Sequence, residues 1–120
     1  MNVHVSSVQW IAIGNLSDIP VRGARCVVTP LGKIGIFRTA SDTVFAIEDH
    51  CPHKGGPLTQ GIVHGRSVTC PLHNWVIDLE TGQAQGADEG SVETLPIRVT
   101  DGDVIELGLE PATLAAVADG

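Results

Sequence analysis

Two short segments of this 120-residue sequence each place a cysteine close to a histidine: Cys51-Pro52-His53 and Cys70-Pro71-Leu72-His73. Each segment offers one thiolate and one imidazole from a proline-containing turn. In such a segment the two side chains diverge from one loop and can reach two different metal ions. Two such loops that face each other can therefore enclose a [2Fe–2S] cluster, with the thiolates on one iron and the imidazoles on the other.

The mixed ligand set determines the chemistry that such a cluster would perform. Two ferric ions, two sulfides and two thiolates carry no net charge when both imidazoles are neutral, whereas a four-thiolate cluster carries two negative charges. The neutral cluster accepts an electron more easily, so its potential rises from about −400 mV to roughly −150 to +300 mV. The predicted chemistry is one-electron transfer at Cys51, His53, Cys70 and His73, with no catalytic residue.

Two other uses of the same cysteines remain open at this point. Two cysteines and two histidines also suit a structural zinc ion, and a zinc-stapled interaction domain would have no redox role. However, zinc sites usually pair like ligands, and each segment here pairs cysteine with histidine. A disulfide between Cys51 and Cys70 is disfavoured because no secretory signal is present and Cys26 would be left over. Cys26 lies in a valine-rich segment and is predicted to be a buried small hydrophobe.

Composition and charge exclude some classes of function. The formal net charge of −7 argues against nucleic-acid binding. It fits a soluble surface, or steering towards a basic face on a redox partner. No apolar run approaches the roughly 20 residues of a membrane span, and the N-terminus lacks a basic stretch followed by an apolar one. We therefore expect a cytoplasmic protein that binds neither nucleic acid nor membrane.

Short β-prone segments separated by turn residues run along most of the chain. They predict an all-β domain, with an antiparallel sandwich or barrel as its base. A small cluster-binding sub-sheet at about residues 48–85 would carry two projecting ligand loops. One domain would span residues 1–108, followed by a C-terminal tail at 109–120. Strands 62–63 and 67–69 are predicted to form a hairpin around Gly65, and strands 97–100 and 103–107 a hairpin with its turn at Asp101-Gly102. The predicted strands are 7–13, 25–29, 33–38, 43–48, 62–63, 67–69, 75–79, 97–100 and 103–107.

The two ligand segments and their neighbours resemble the Rieske iron–sulfur family: Cys51-Pro52-His53-Lys54-Gly55-Gly56-Pro57-Leu58 and Cys70-Pro71-Leu72-His73-Asn74-Trp75. The resemblance implies a Rieske fold and a cluster held by the four residues named above. High-potential members of the family add a disulfide, a serine and a tyrosine near the cluster. The matching positions here are Gly56, Leu72, Trp75 and Ile77, so the resemblance implies a low-potential, ferredoxin-type protein.

The amino-acid sequence of the loops also resembles that of the small subunit of assimilatory NAD(P)H-dependent nitrite reductase. The resemblance covers residues of about 8–108. This resemblance implies a large partner subunit that carries FAD, a [4Fe–4S] cluster and sirohaem, and that reduces nitrite to ammonium. The present chain has no dinucleotide-binding fingerprint and would be a relay subunit. Besides the segment from Pro52 to Leu58, the similarity rests on Gly61-Ile62-Val63, His73-Asn74-Trp75-Val76-Ile77, Gly82, Gly86-Ala87-Asp88-Glu89-Gly90 and Leu95-Pro96-Ile97-Arg98-Val99.

The alternative role is the freely diffusing ferredoxin component of an aromatic-ring dioxygenase or a similar oxygenase. Such ferredoxins more often have threonine where Pro52 stands, and glycine where Asn74 stands.

The partner is predicted to dock at the end of the domain that the ligand loops form. Lys54, Pro57, Leu58 and Trp75 would lie near that contact. The alternative for Leu58 and Trp75 is burial beneath the loops as packing.

Overall fold

Ten antiparallel strands in three sheets build the part of the chain that the computed structural model describes, residues 8–51, 56–70, 75–85 and 90–109. The base sheet has the order β1 (Gln9–Asn15), β10 (Val104–Leu109), β9 (Ile97–Thr100). The central sheet has the order β2 (Ala24–Thr29), β3 (Gly32–Arg38), β4 (Val44–Glu48), β8 (Thr94–Leu95). The small sheet has the order β5 (Ile62–His64), β6 (Ser67–Thr69), β7 (Val76–Asp78).

The predicted all-β antiparallel architecture is confirmed, with differences at the ends of strands. β1 begins at Gln9 and ends two residues later than predicted, and its predicted start at Ser7 lies outside the described residues. β10 continues to Leu109 because it pairs with β1 as far as Gln9 and Leu109, and Leu109 is buried. The two-residue strand β8 was not predicted, because Pro96 ends it before any alternation can show. Helical structure among the described residues is limited to two 3-10 turns, Leu16–Asp18 and Leu58–Gln60, and neither helix could span a membrane.

The inner strands of the central sheet, β3 and β4, are mostly buried because their side chains alternate between two cores. On β3, Ile34 and Ile36 enter the core shared with the base sheet, whereas Phe37 enters the core shared with the small sheet. On β4, Ala46 and Ile47 divide in the same way. The central sheet therefore separates the base from the small sheet and supports both.

Cys26 is exposed, so the prediction that it is a buried hydrophobe was wrong. It lies on β2, which is an edge strand of the central sheet. Its partner across the ladder is Gly35, which has no side chain to cover it, whereas neighbouring Val27 packs on the base core. The valine-rich sequence indicated a strand correctly, but it did not indicate which face of the strand Cys26 would occupy.

Two glycines permit the tight turns of the small sheet. Gly65 adopts a φ of 56° in the turn that joins β5 to β6, where glycine is favoured. Gly61 lies so close to the backbone carbonyl of Thr69 that a Cβ atom would collide with it. The predicted hairpin around Gly65 is confirmed, and the small sheet lies between the two cysteine-containing segments in the sequence.

Candidate metal centre

The two predicted cysteine ligands are buried in one apolar core. Cys51 is 1% exposed and Cys70 is 0% exposed, and neither forms a disulfide. Two cysteines shielded from water in a shared core are suitably placed to supply thiolates to one metal centre. The other buried members of this core are Phe37, Ile47, Leu58, Val63, Val68, Ile77, Leu79 and Val92.

The same backbone hydrogen bond closes both cysteine-containing loops. The N–H of Cys51 donates to the carbonyl of Gly56 at 2.7 Å, and the N–H of Cys70 donates to the carbonyl of Trp75 at 2.7 Å. These bonds define the first ligand loop, residues 51–56, and the second ligand loop, residues 70–75. Each loop begins at a buried cysteine and ends five positions later.

The histidines predicted to complete the ligand set, His53 and His73, lie within these two loops in the sequence but outside the described residues. Their ligation of a metal therefore stays a prediction. Among the described residues, no group of three or more histidine, cysteine, aspartate or glutamate side chains could hold a metal ion. Lys54 of the predicted docking patch also lies outside the described residues.

The second ligand loop is the connection of a β-hairpin. Thr69 pairs with Val76 and Val68 pairs with Ile77, so the antiparallel ladder of β6 and β7 continues to the residues that flank the loop. Beyond β7, the carboxylate of Asp78 accepts hydrogen bonds from the backbone N–H groups of the next turn, at 2.8 Å and 3.0 Å. The second loop is therefore held by backbone hydrogen bonds on both of its arms.

The first ligand loop has no such ladder among the described residues. Strand β4 ends at Glu48, and the chain after the loop enters a 3-10 turn instead of a paired strand. The carboxylate of Asp49 joins the chain before the first ligand loop to the chain after it. Its Oδ1 accepts a hydrogen bond from the backbone N–H of Thr59 at 2.8 Å, and its Oδ2 accepts one from the Thr59 hydroxyl at 2.9 Å. Sequence reasoning missed this pair, because one aspartate and one threonine ten residues apart are too common a combination to signal a bond.

Leu58 is 0% exposed and packs in the cysteine-containing core. The docking prediction for Leu58 was therefore wrong, and the alternative, packing beneath the loops, is confirmed. Trp75 is partly buried against the same core, whereas Pro57 is exposed. Leu58 faces inward because the 3-10 turn that begins with it lies directly against the core, a geometry that the Pro-Leu sequence alone does not reveal.

The charged side chains that flank the small sheet are mainly exposed. Arg66 lies 5.3 Å from the ring centroid of Phe45 and donates to Glu80 at 2.9 Å. This contact places a side chain of the small sheet against the central sheet. His50 lies 3.6 Å from Glu48, and exposed His64 forms a 2.7 Å hydrogen bond with Thr69, so neither residue points to a ligand role.

A cleft of ≈ 630 Å³ lies beside the first ligand loop, with exposed Cys26 on its wall. Partial desolvation, followed by the hydrogen bond and negative charge of Asp49, raises the pKa of the Cys26 thiol above its ordinary value. A thiol with a raised pKa is a weak nucleophile and a weak metal ligand at neutral pH. Cys26 is therefore not part of the candidate centre.

Comparison with known proteins identifies the family of this core and its loops. The model of the Rieske-like [2Fe–2S] domain matches residues 9–106. The chain belongs to this Rieske-like family. Its cofactor is therefore a [2Fe–2S] cluster, and the Rieske fold agrees with the buried cysteines that begin the two closed loops.

Two known proteins are similar to the chain over most of its length. It is 33% identical to the anthranilate 1,2-dioxygenase ferredoxin subunit of Burkholderia cepacia, over 80% of this chain and 89% of the relative. It is 29% identical to the oxidoreductase NdmD of Pseudomonas putida, over 92% of this chain but only 21% of that longer protein.

Among solved structures, the fold is similar to one described as an NADH-dependent nitrite reductase small subunit from Mycobacterium tuberculosis. The TM-score is 0.77 at 23% identity, covering 85% of this chain and 96% of that one. At this identity the likeness concerns the fold.

Proposed function

We propose that this Rieske protein is the electron-transfer small subunit of an assimilatory NAD(P)H-dependent nitrite reductase. In this proposal, Cys51, His53, Cys70 and His73 hold the [2Fe–2S] cluster. The observation that carries the relay function is the pair of buried cysteines, each at the start of an identically closed loop. A bound cluster would supply one-electron transfer.

The chain's own residues hold the thiolates in a dry and rigid setting. Both cysteines are shielded from water by the core, and their backbone N–H groups are engaged in closing the loops. A fixed geometry reduces the rearrangement that accompanies a change of charge, which favours rapid electron exchange. The described residues that match the hydroxyl donors of high-potential relatives, Trp75 and Ile77, bring no hydroxyl group, so we expect a low potential.

The choice of nitrite reductase as the partner rests on the loop sequence. The amino-acid sequence from Pro52 to Leu58 resembles that of the nitrite reductase small subunit, and Gly82 and Gly90 extend the resemblance. Gly82 adopts a φ of 77° and lies against the carbonyl of Val92, so this part of the resemblance reflects a backbone requirement of the fold. The proposed partner is the large subunit with FAD, [4Fe–4S] and sirohaem, in the cytoplasm.

A second candidate is the ferredoxin component of an aromatic-ring dioxygenase. The 33% identity to the anthranilate 1,2-dioxygenase ferredoxin subunit, over most of both chains, favours this role. Both roles use the same cluster as a one-electron relay. They differ in the partner that receives the electron, and in whether the complex is permanent.

Serine substitutions test the proposed ligands. Cys51→Ser and Cys70→Ser should each abolish the Rieske-type electron paramagnetic resonance signal of the reduced protein, because serine is a poor ligand to these irons. Cys26→Ser is the matched control and should leave the iron content and the signal unchanged, since Cys26 is exposed at the edge of the central sheet. A Cys51→Ser protein with two irons and an unchanged spectrum would show that the ligand assignment is wrong.

Reconstitution with each kind of partner tests the proposed role. The tagged holoprotein should co-purify with a large flavin- and sirohaem-containing nitrite reductase subunit from the same source. Adding it to that subunit should raise NAD(P)H-dependent ammonium formation. The parallel experiment supplies the reduced protein to an aromatic-ring dioxygenase. Rapid reoxidation by the oxygenase, without binding to the nitrite reductase subunit, would favour the ferredoxin role instead.

A further inference from the structure

The two ligand loops are fixed by different means. The ladder of β6 and β7 holds the second loop, through the pair of Thr69 and Val76. At the first loop, the carboxylate of Asp49 spans from two residues before Cys51 to Thr59, three residues beyond the closing Gly56. The Asp49 side chain therefore holds the two ends of the first loop together, as the pairing of β6 and β7 holds the two ends of the second loop.

The position of Asp49 is unusual for a carboxylate. It is only 7% exposed, and its partners are the N–H and hydroxyl of Thr59 and the thiol of Cys26, all of which are neutral. Lys33 lines the same cleft as Asp49, but none of the ion pairs formed between described residues joins it to Asp49. Burial of a charge is unfavourable unless an opposite charge pairs with it. A neutral asparagine could also bond to both groups of Thr59, with its oxygen accepting the N–H and its amide group donating to the hydroxyl, and it would bury no charge. A role for the negative charge itself is therefore expected.

We propose that Asp49 is a positioning residue for the first ligand loop, and that its buried negative charge lowers the reduction potential of the [2Fe–2S] cluster. Its carboxylate ties the chain before Cys51 to the chain after Gly56, and so limits how far the loop can open. The inference depends on the cluster and on Cys51 as its ligand. It is independent of whether the partner is a nitrite reductase or an oxygenase.

The direction of the effect follows from the charges. The oxidised cluster with two neutral imidazoles carries no net charge, and reduction adds one negative charge. A carboxylate two residues from Cys51 repels that added charge, and because Asp49 is only 7% exposed, water screens the repulsion less than it would at the surface. Removing the negative charge while keeping the side-chain shape should therefore raise the potential.

Asp49→Asn tests the charge. Its Oδ1 can still accept the Thr59 N–H, and its amide can donate to the Thr59 hydroxyl, so the link is retained. Asp101→Asn is the matched control, because it makes the same change in net charge in the exposed turn between β9 and β10. The midpoint potential of each isolated holoprotein is measured by spectroelectrochemistry at one pH and salt concentration. Asp49→Asn should shift it upwards, by more than the control, and retain the Rieske-type spectrum. Equal shifts in the two variants would overturn the electrostatic role.

Thr59→Val tests the positioning role without changing any charge. It removes the hydroxyl bond to Asp49 and retains the backbone bond. Thr39→Val is the matched control, since Thr39 is a buried threonine (3% exposed) away from the ligand loops. Its hydroxyl bonds to the Ser41 hydroxyl and accepts the backbone N–H of Thr43. Visible absorbance is followed in the presence of an iron chelator. Thr59→Val should lose its cluster several-fold faster than the control, and Thr59→Ser should restore the wild-type rate. Equal rates in the two valine variants would overturn the positioning role, even if Asp49→Asn proved too unstable to purify.

Discussion

Leu58→Ala tests whether the first ligand loop rests on the core, because Leu58 follows that loop and is fully buried in the core that contains both cysteines. Truncation to alanine removes three carbon atoms and leaves a cavity that the small sheet and central sheet cannot easily close. Fully buried leucines of this kind lose about 3–5 kcal/mol of unfolding free energy on truncation. For a chain of 120 residues the unfolding entropy is roughly 0.25 kcal/mol per degree, so about 1 kcal/mol corresponds to about 4 °C.

The expected fall in the melting temperature is therefore about 12–20 °C. It can be measured by far-ultraviolet circular dichroism together with visible absorbance of the cluster. All variants should be heated at one scan rate, since loss of the cluster can make unfolding irreversible. Because Leu58 and Cys51 share one core, the cluster absorbance should be lost in the same transition as the β-sheet signal.

Two control variants separate packing from a partner contact. Ile62→Ala lies on the small sheet but is 70% exposed, so it should change the melting temperature by no more than about 2 °C. Leu58→Met keeps the side-chain volume and should lower the melting temperature by less than about 6 °C. A Leu58→Ala protein that melts within about 2 °C of the wild type would refute the packing argument. It would also restore Leu58 as a candidate docking residue.

Two further predictions concern the small sheet and the cleft. Gly61→Ala should destabilise the protein by more than about 2 kcal/mol, because its Cβ would collide with the Thr69 carbonyl. Gly65→Ala should destabilise it by only about 1 kcal/mol, because alanine at this position must adopt a positive φ. Equal denaturation midpoints of the two variants would contradict this prediction. Desolvation and then Asp49 raise the pKa of Cys26 above its ordinary value. The protonated thiol therefore favours the folded state below the ordinary pKa, and this contribution is lost as pH rises through the folded-state pKa. Alkylation of Cys26 by iodoacetamide, followed by peptide mass spectrometry, should therefore be slower in the native than in the denatured protein at pH 8; equal rates would show that the pKa is not raised.

The sequence predicted the fold well where a local pattern determines the structure. The hairpin at Asp101-Gly102 forms as expected, because Gly102 readily adopts its φ of 84°. The hairpin at Gly65 forms for the same reason. Cys51 and Cys70 could be singled out because their spacing to a histidine is specific, and the structure places both in one core.

Features that depend on tertiary packing could not be predicted from the sequence. Cys26 is exposed because Gly35 lies opposite on the neighbouring strand. The sequence around Cys26 does not indicate which residue will be its cross-strand partner. Leu58 is buried because of the direction of a single 3-10 turn. The bond between Asp49 and Thr59 joins residues on opposite sides of the ligand loop, and neither residue alone has a sequence signal.

The two ligand loops are equivalent at their cysteines but not at their histidines. Each is closed by a hydrogen bond between its cysteine and the residue five positions later, so the closures have the same length. Within that length, His53 stands three residues before the closing Gly56, whereas His73 stands two residues before the closing Trp75. Both cysteines are buried in the same core, so a cluster bound there would meet that core through its two thiolates. The fully buried Leu58 belongs to the same core and offers no exposed surface to a partner.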